Sequence, residues 1–265
     1  MTIRALPRRP AVRPPAPVPE VIPPPLGVRF GVEAAKPRTP VGFDPKAGQH
    51  LLVSGDAGSG KTTVLASLVQ GSLVARCVVY VAAARSDHPG YALEQRQIEA
   101  SGSGLAGSQR VLEAACVEMM SRQERMVEQN KRRYDRLFPP ASPVLVVVDG
   151  VLELLAMDWQ IGSPENMQRA AVGSMLDSIA QYGPKTGLSL MIASSEPAGT
   201  LVAVRLFPHL HDLGDTAARL TLHSADAPGR GLWMPVDQVP VEVQADQLGF
   251  GASGVTNRRT AARTG

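Results

Sequence analysis

Four largely apolar runs recur along the middle of the chain, each bounded by glycine, proline or polar residues. They occupy residues 50–55, 77–84, 143–150 and 187–195. Runs of aliphatic and β-branched residues of this length are typical of strands buried on both faces, as in a parallel sheet covered by helices. The pattern also predicts two shorter strands near residues 231–234 and 239–245.

Helical patterns alternate with these runs. The spacing of apolar residues predicts helices over about 61–73, 108–137 and 164–182. The last of them has Ser163 as its cap and Pro164 in its first position, and Gly183-Pro184 is expected to end it. Strand–helix alternation with crossovers of this length predicts an α/β fold with a mostly parallel sheet covered by helices.

The two ends of the chain differ in composition from the middle. Residues 1–40 hold 11 of the 23 prolines. Because proline fixes φ and lacks a backbone donor, we interpret this stretch as a Pro-rich basic tail or linker. Residues 248–265 are rich in Gly, Ser, Thr and Arg and are expected to form a disordered basic tail. The folded domain is therefore expected to span residues 41–247.

Charge is distributed unevenly between the ends and the middle. Residues 1–40 carry seven basic and two acidic side chains, and residues 248–265 carry three basic and no acidic ones. The chain has 27 basic and 24 acidic residues, so the middle contains 17 basic and 22 acidic residues and is acidic. The domain lacks the overall basic character of many nucleic-acid-binding domains. Its basic ends are either solvated tails or weak electrostatic contacts with nucleic acid.

Cysteine usage and hydropathy bear on location. Cys77 and Cys116 have no metal-binding spacing and form no disulfide framework, which favours a reducing, cytoplasmic setting. The basic start of the chain lacks the apolar segment of a secretory signal, and no apolar run approaches the roughly 20 residues of a membrane helix. No direct membrane insertion is expected, and any membrane association would come through a partner.

One glycine-rich segment matches G-x-x-x-x-G-K-[ST] at every fixed position. Its residues are Gly55, Asp56, Ala57, Gly58, Ser59, Gly60, Lys61 and Thr62, followed by Thr63. It lies between a predicted buried strand and a predicted helix, which is the context that a P-loop requires. Backbone N–H groups and the helix N-terminus can then bind phosphates. Lys61 can reach the β- and γ-phosphates, and Thr62 can ligate Mg²⁺.

A second carboxylate is expected on the magnesium side of such a site. The buried run at 143–150 ends in Asp149, where an acid is costly unless a cation or donors meet it. Ligands of open α/β sheets also bind at this edge. In a hydrolase this Asp is usually followed by a Glu that orients the attacking water, but in this chain the next residue is Gly150. Glu153 and Glu196 are candidate substitutes, with a surface or capping role as the alternative for each.

Taken in order, these motifs resemble the motor domain of the FtsK/SpoIIIE family, RecA-like ATPases that pump double-stranded DNA, and of the related type VII secretion ATPases. The resemblance covers about residues 41–247. The matching stretches are His50-Leu51-Leu52-Val53 with Gly55, Glu118-Met119-Met120-Ser121-Arg122 or the shifted Arg125, "ASSEP" at 193–197, "PGRG" at 228–231 and "PVEV" at 240–243. Two positions differ: Asp149-Gly150 replaces the Asp-Glu of the DNA pumps, and Ser195 replaces their strand-end glutamine.

The resemblance implies a RecA-like P-loop NTPase with ATP and Mg²⁺ as cofactors, which translocates double-stranded DNA as a homo-oligomeric, hexameric ring. It also implies an arginine that reaches a neighbour's γ-phosphate, for which Arg230 is preferred over Arg205 and Arg219. The basic cluster Lys131-Arg132-Arg133 with Arg136 is either a helix end stabilised by the helix dipole or a contact to the DNA backbone.

A second hypothesis assigns the chain to a different class. It would be an ATP-binding assembly or protein-secretion-coupling module, with a membrane or secretion protein as its partner and with weak or no hydrolysis. Gly150 and the acidic middle favour this hypothesis, whereas the basic tails and the order of the motifs favour the DNA motor.

Overall fold

The computed structural model describes residues 28–35, 40–85, 98–157, 162–195, 207–223, 229–236 and 239–245. Its strands are β1 (Val28–Glu33), β2 (Pro40–Phe43), β3 (Leu51–Ser54), β4 (Val78–Ala83), β5 (Ala100–Ser103), β6 (Val144–Asp149), β7 (Leu188–Ser194), β8 (Ala218–Leu222), β9 (Arg230–Met234) and β10 (Val241–Ala245). Its α-helices are α1 (Lys61–Val74), α2 (Gly104–Glu128), α3 (Val151–Leu155), α4 (Pro164–Thr186) and α5 (Pro208–Thr216). None of the helices in this part of the chain is long and apolar enough to cross a membrane.

All the described strands belong to one sheet, with the order β2-β1-β10-β9-β8-β3-β7-β6-β4-β5. The strands from β8 to β5 in that order pair in parallel. Every residue of β3, β6 and β7 is buried. Alternate residues of β6 contribute to two hydrophobic clusters, one that includes α1 and another that includes α2 to α5. Helices thus cover both faces, and the expected α/β fold with a mostly parallel sheet is confirmed.

The other end of the sheet is antiparallel and includes a strand that the sequence did not indicate. β1 lies within the stretch interpreted as a Pro-rich tail, yet it pairs with both β2 and β10, with Gly31 opposite Ala245. The segment VRFGVE falls between Pro25 and Pro37, so it keeps every backbone donor. Residues 1–27 and 36–39, like the predicted tail 248–265, lie outside the described residues.

Helix α2 ends nine residues earlier than the sequence predicts, at Glu128 instead of residue 137. Asn130 has a left-handed φ of 50°. Its N–H donates to the Val127 carbonyl at 3.0 Å, and the Lys131 N–H donates to the Met126 carbonyl at 2.7 Å. This pair of bonds is the Schellman arrangement that ends helices. The prediction was wrong because Tyr134 and Leu137 continue the apolar spacing, although they pack back on Met126 from outside the helix.

Helix α4 runs past Gly183-Pro184, which was expected to stop it, and continues to Thr186. Pro184 has no N–H, so the carbonyl of Ala180 loses its usual donor. The buried His50 replaces that donor. Its Nδ1 accepts from the Leu190 N–H at 2.9 Å, so Nε2 carries the proton and donates to the Ala180 carbonyl at 3.0 Å. A residue 130 positions away therefore lets the helix continue through a proline.

A buried arginine joins α2 to the end of α4. Arg122 is 2 % exposed, and its Nη1 donates to the Thr186 carbonyl at 3.1 Å. Its Nε donates to the Glu118 carboxylate at 2.7 Å, and its guanidinium lies 6.0 Å from the centre of the Tyr134 ring. A buried charge needs partners of this kind. Of the two arginines that could complete the EM-x-x-R pattern, Arg122 is the buried one.

Burial lowers the pKa of His50 to about 4, against the effect of its hydrogen bond to Ala180. An unfolded histidine titrates near ~6.5. Between these values the unfolded chain binds one more proton, so stability is lost as the pH falls from ~6.5 towards ~4. Because His50 titrates in this way, we expect the free energy of unfolding to be about 2 kcal/mol lower at about pH 5 than at about pH 7.5. Urea denaturation at both pH values measures this change.

His50→Gln should lose that part of the pH dependence, because an amide can make similar hydrogen bonds without titrating. The matched control is His223→Gln, since His223 is exposed. An unchanged pH dependence in His50→Gln would contradict the interpretation.

Candidate functional site

The loop between β3 and α1 turns at glycines that other residues could not replace. Gly60 caps α1 with a φ of 98°, so the helix begins directly at Lys61. A Cβ atom on Gly55 would lie 2.7 Å from Ser59 Oγ and 2.8 Å from the Leu222 carbonyl oxygen. The loop therefore folds closely against the end of β8, and its glycines are required by conformation and by space.

The first turn of α1 is open to an anionic ligand. No side chain caps it, and the turn contains no acidic residue. Helix α4 differs, because the Ser163 side chain accepts from the Asn166 N–H at 3.1 Å. N–H groups at a helix start carry partial positive charge and need acceptors. The start of α1 therefore fits a phosphate group.

Lys61 lies across the loop. Its Nζ donates to the carbonyl oxygens of Gly55 at 2.6 Å and Asp56 at 2.7 Å. Burial lowers the pKa of Lys61, and the negative charges of Asp149, Asp56 and Glu153 oppose this shift. The loop thus places its cation among carboxylates that come from three separate segments of the site.

Thr62 and Asp149 meet at the end of β6, although 87 positions separate them in the sequence. Thr62 Oγ1 donates to Asp149 Oδ2 at 3.3 Å, and Asp149 is 6 % exposed. A hydroxyl and a carboxylate are the oxygen ligands that Mg²⁺ prefers. Within the described residues no cluster of three or more His, Cys, Asp or Glu side chains could hold a metal. The hydroxyl of Thr62 and the carboxylate of Asp149 fit Mg²⁺, which would take its other ligands from phosphate and water.

Three further hydroxyl residues at this edge, Ser54, Ser194 and Thr221, were not predicted as site residues from the sequence. Ser54 Oγ donates to Thr221 Oγ1 at 3.2 Å. In the sheet register Ser54 also lies opposite Ser194, the buried last residue of β7. A signal was available, because each polar residue closes or nearly closes an apolar strand. Three neighbouring strands, β7, β3 and β8, thus present hydroxyl groups next to the P-loop.

Gly150 and Glu153 share one small volume after β6. Gly150 has a φ of 82° and caps α3. A Cβ atom there would lie 2.8 Å from the Ala84 Cβ and 3.0 Å from Glu153 Oε2. A glutamate could not take this conformation without strain. The exposed Glu153 places its carboxylate beside the position where the resemblance would have put one, and its charge acts on Lys61.

The other predicted residues fall into two groups. Glu196 and Arg205 lie outside the described residues. Arg219 is on β8 opposite Leu52. Arg230, the exposed first residue of β9, follows Gly229, whose N–H donates to the Ser59 carbonyl at 2.9 Å. Arg230 is therefore one residue from a contact with the P-loop of its own chain.

Comparisons with known proteins identify the fold. No protein-family model matches the sequence, and no curated protein is significantly similar to it in sequence. Among solved structures, the pCW3 conjugation coupling protein TcpA, in its monomer form with ATPγS, has a TM-score of 0.65 and 16 % identity, over 82 % of this chain and 65 % of that one. The cytoplasmic domain of the type VII secretion ATPase EccC from Thermomonospora curvata has a TM-score of 0.64 and 19 % identity, over 87 % and 30 %.

VirB4 of Thermoanaerobacter pseudethanolicus is also similar, with a TM-score of 0.53 and 11 % identity over 86 % of this chain and 98 % of that one. These similarities show that the chain shares the fold of these solved proteins, an α/β fold of the kind that the motifs indicated. The chain spans 65 % of the length of TcpA and 30 % of the EccC domain.

The contact between Thr62 and Asp149 leads to a prediction about magnesium. We expect the wild type to bind ATP more tightly in the presence of Mg²⁺ than after EDTA has removed it. In Asp149→Asn the two affinities should agree within about 2-fold, because an amide is a poorer Mg²⁺ ligand than a carboxylate. Lys61→Ala should weaken binding roughly 10- to 100-fold in both conditions, because it removes a charge-assisted contact to phosphate. Titration calorimetry measures both effects. Asp212→Asn, an exposed change on α5, is the matched control, and a full magnesium effect in Asp149→Asn would refute this role.

Proposed function

We propose that this protein is an ATPase of the FtsK/SpoIIIE type that binds ATP with Mg²⁺ and acts on double-stranded DNA as a homo-oligomeric ring. The contact of Thr62 Oγ1 with Asp149 Oδ2, at the open start of α1 and beside Lys61, carries this proposal. The glycine conformations, the lowered pKa of Lys61 and the similarity in fold to secretion and conjugation ATPases support it.

Each part of the site has a distinct role in the proposed reaction. The backbone of residues 55–63 would bind the phosphates, and the Lys61 ammonium would contact the β- and γ-phosphates. Thr62 and Asp149 would hold Mg²⁺, which would supply positive charge to neutralise the phosphates. Glu153 would orient the attacking water and accept its proton, because its carboxylate lies next to Gly150 and within electrostatic range of Lys61.

The basic cluster is a candidate contact for the DNA backbone. Since α2 ends at Glu128, the four basic residues lie beyond the helix and are not in its last turn, as stabilisation by the helix dipole requires. Arg133 forms an ion pair with Asp135 at 3.3 Å, and all four basic residues are exposed. The P-loop lies at the carboxyl edge of the parallel strands, and α2 also starts at that edge, directly after β5. The basic residues follow the other end of α2. DNA and nucleotide would therefore occupy opposite edges of the sheet.

Steady-state ATP hydrolysis with and without long double-stranded DNA tests the proposal. We expect turnover that DNA raises and that Lys61→Ala abolishes. The triple variant Lys131→Ala, Arg132→Ala, Arg133→Ala should lose most of the stimulation and reduce its salt dependence, because each lost phosphate contact lowers the salt slope by about one. Lys185→Ala, an exposed cation on α4, is the control. Turnover that persists in Lys61→Ala would overturn the proposed site.

The position of Arg230 gives a separate test of the ring. If Arg230 acts on a neighbour's nucleotide, Lys61→Ala and Arg230→Ala subunits, each inactive alone, should regain activity when mixed. The intact P-loop of an Arg230→Ala subunit would then face the intact Arg230 of a neighbouring Lys61→Ala subunit. ATP hydrolysis across a range of mixing ratios measures this. Recovery would be absent if Arg230 acts only on the P-loop that its own chain contacts through Gly229.

A second candidate function has its own support. The similar structures are named for conjugation coupling and type VII secretion, and one EccC structure is described as a complex with a signal sequence peptide. The acidic middle of the chain also favours a protein partner over DNA. ATP binding with little turnover, unaffected by DNA, would favour a cytoplasmic assembly or secretion-coupling module that a partner recruits to the membrane.

A further inference from the structure

We propose that Arg169 is a positioning residue that holds Glu153 at the nucleotide site. This inference rests on the proposed ATPase function, in which Glu153 orients the attacking water. It goes beyond that function because Arg169 lies on a different helix, α4, and acts through the backbone of α3.

Helix α3 is too short to be stable by itself. It spans five residues, Val151–Leu155. A helix of this length contains few of its own hydrogen bonds, and its last carbonyls have no partner within the helix. Its apolar side chains, Val151, Leu154 and Leu155, are buried and fix one face. Glu153 is on the exposed side, where packing alone does not determine how the backbone is held.

Arg169 supplies the missing donors for this helix. Its Nη1 donates to the carbonyl oxygens of Glu153 at 2.5 Å and Leu154 at 3.2 Å. Both carbonyls belong to the end of α3 that lacks helical partners. Arg169 therefore joins the backbone of the proposed water-orienting residue to the long helix α4, while the Glu153 carboxylate lies beside Gly150.

The guanidinium is itself fixed in place. Its Nη2 donates to Glu165 Oε1 at 2.6 Å, one turn earlier on α4. The side chain of Arg169 is 17 % exposed and that of Glu165 is 59 % exposed. An exposed pair of this kind adds little stability, but it limits the rotamers of a planar group that must present several donors at once. Glu165 thus orients Arg169, and Arg169 orients α3.

The position of Glu153 in the sequence explains why a positioning residue is needed here. A catalytic glutamate directly after Asp149 would be held by the sheet, because strand β6 fixes the backbone at that point. Since Gly150 occupies that position, the proposed carboxylate is Glu153 on a one-turn helix, which fixes its position less firmly than the sheet would. Rates depend steeply on placement, and a shift of about 1 Å can cost about 100-fold.

The test is a double-mutant cycle on ATP turnover in the full-length protein. We expect Glu153→Gln to lower kcat at least ~100-fold, as for loss of a general base. Arg169→Gln should lower kcat roughly 10-fold and leave KM within about 2-fold, because the phosphates and Mg²⁺ are bound elsewhere. Arg169→Lys should recover part of the loss, since an ammonium can reach one carbonyl but cannot reproduce the planar fork.

The cycle distinguishes positioning from a general loss of structure. If Arg169 acts through Glu153, the double variant should turn over no more slowly than Glu153→Gln alone. A further loss in the double variant would refute the proposal, as would a full kcat in Arg169→Gln. Arg125→Gln is the matched control, because Arg125 on α2 donates to the Pro139 carbonyl at 2.8 Å, away from the site. Thermal unfolding of each variant identifies any that fails to fold.

The same measurements separate this proposal from the function on which it rests. No Lys61-dependent turnover in the wild type would overturn the ATPase function and the role of Arg169 with it. Turnover that Glu153→Gln leaves unchanged would keep the ATPase but refute Glu153, and therefore Arg169, in this role. A loss in Glu153→Gln with none in Arg169→Gln would refute only the positioning.

Discussion

Parallel pairing in register is the constraint on which the candidate site depends. It aligns Ser54 with both Ser194 and Thr221, and Asp149 with Ala193. Because the strands run the same way, their carboxyl ends lie at one edge, and every loop that follows them opens on the same side. The P-loop, the acid of β6 and the hydroxyl row come together for this reason. The glycines then let the loop lie close enough to β8 to complete the site.

The opposite edge of the sheet is held by buried polar groups. His50 joins the start of β3 to α4 and β7, and Arg122 joins α2 to the end of α4. Each makes several hydrogen bonds, as buried polar groups must. The helices that frame the site are thus anchored at the end far from the nucleotide, which leaves the P-loop edge free for side chains with chemical roles.

The sequence was most informative where a structural signal is local. Buried strands appear as apolar runs, and the P-loop carries its own spacing of glycine, lysine and threonine. Asp149 could also be assigned, since an acid at the end of such a run is unfavourable without a partner. These features specified the fold class and brought Lys61, Thr62 and Asp149 together in the prediction.

Several features that the sequence did not indicate depend on contacts between separate parts of the chain. Helix α4 passes Pro184 only because His50 replaces a lost donor. Strand β1 is stabilised by pairing with β10, more than 200 positions away. The end of α2 was obscured by Tyr134, which packs back on the helix after leaving it. The contact of Arg169 with the backbone of Glu153 and Leu154 was not indicated either, because it joins two separate helices. A local sequence pattern does not contain these contacts.

The pairing of β1 with β10 has a consequence for how the domain can be used in evolution. The first and last strands of the described fold are neighbours, with Gly31 opposite Ala245, so the chain enters and leaves at almost the same place. A unit of this kind can be inserted into a longer polypeptide, or repeated in tandem, without separating the elements that build its site. Its nucleotide chemistry can therefore be recombined with different neighbouring modules while the interior stays unchanged.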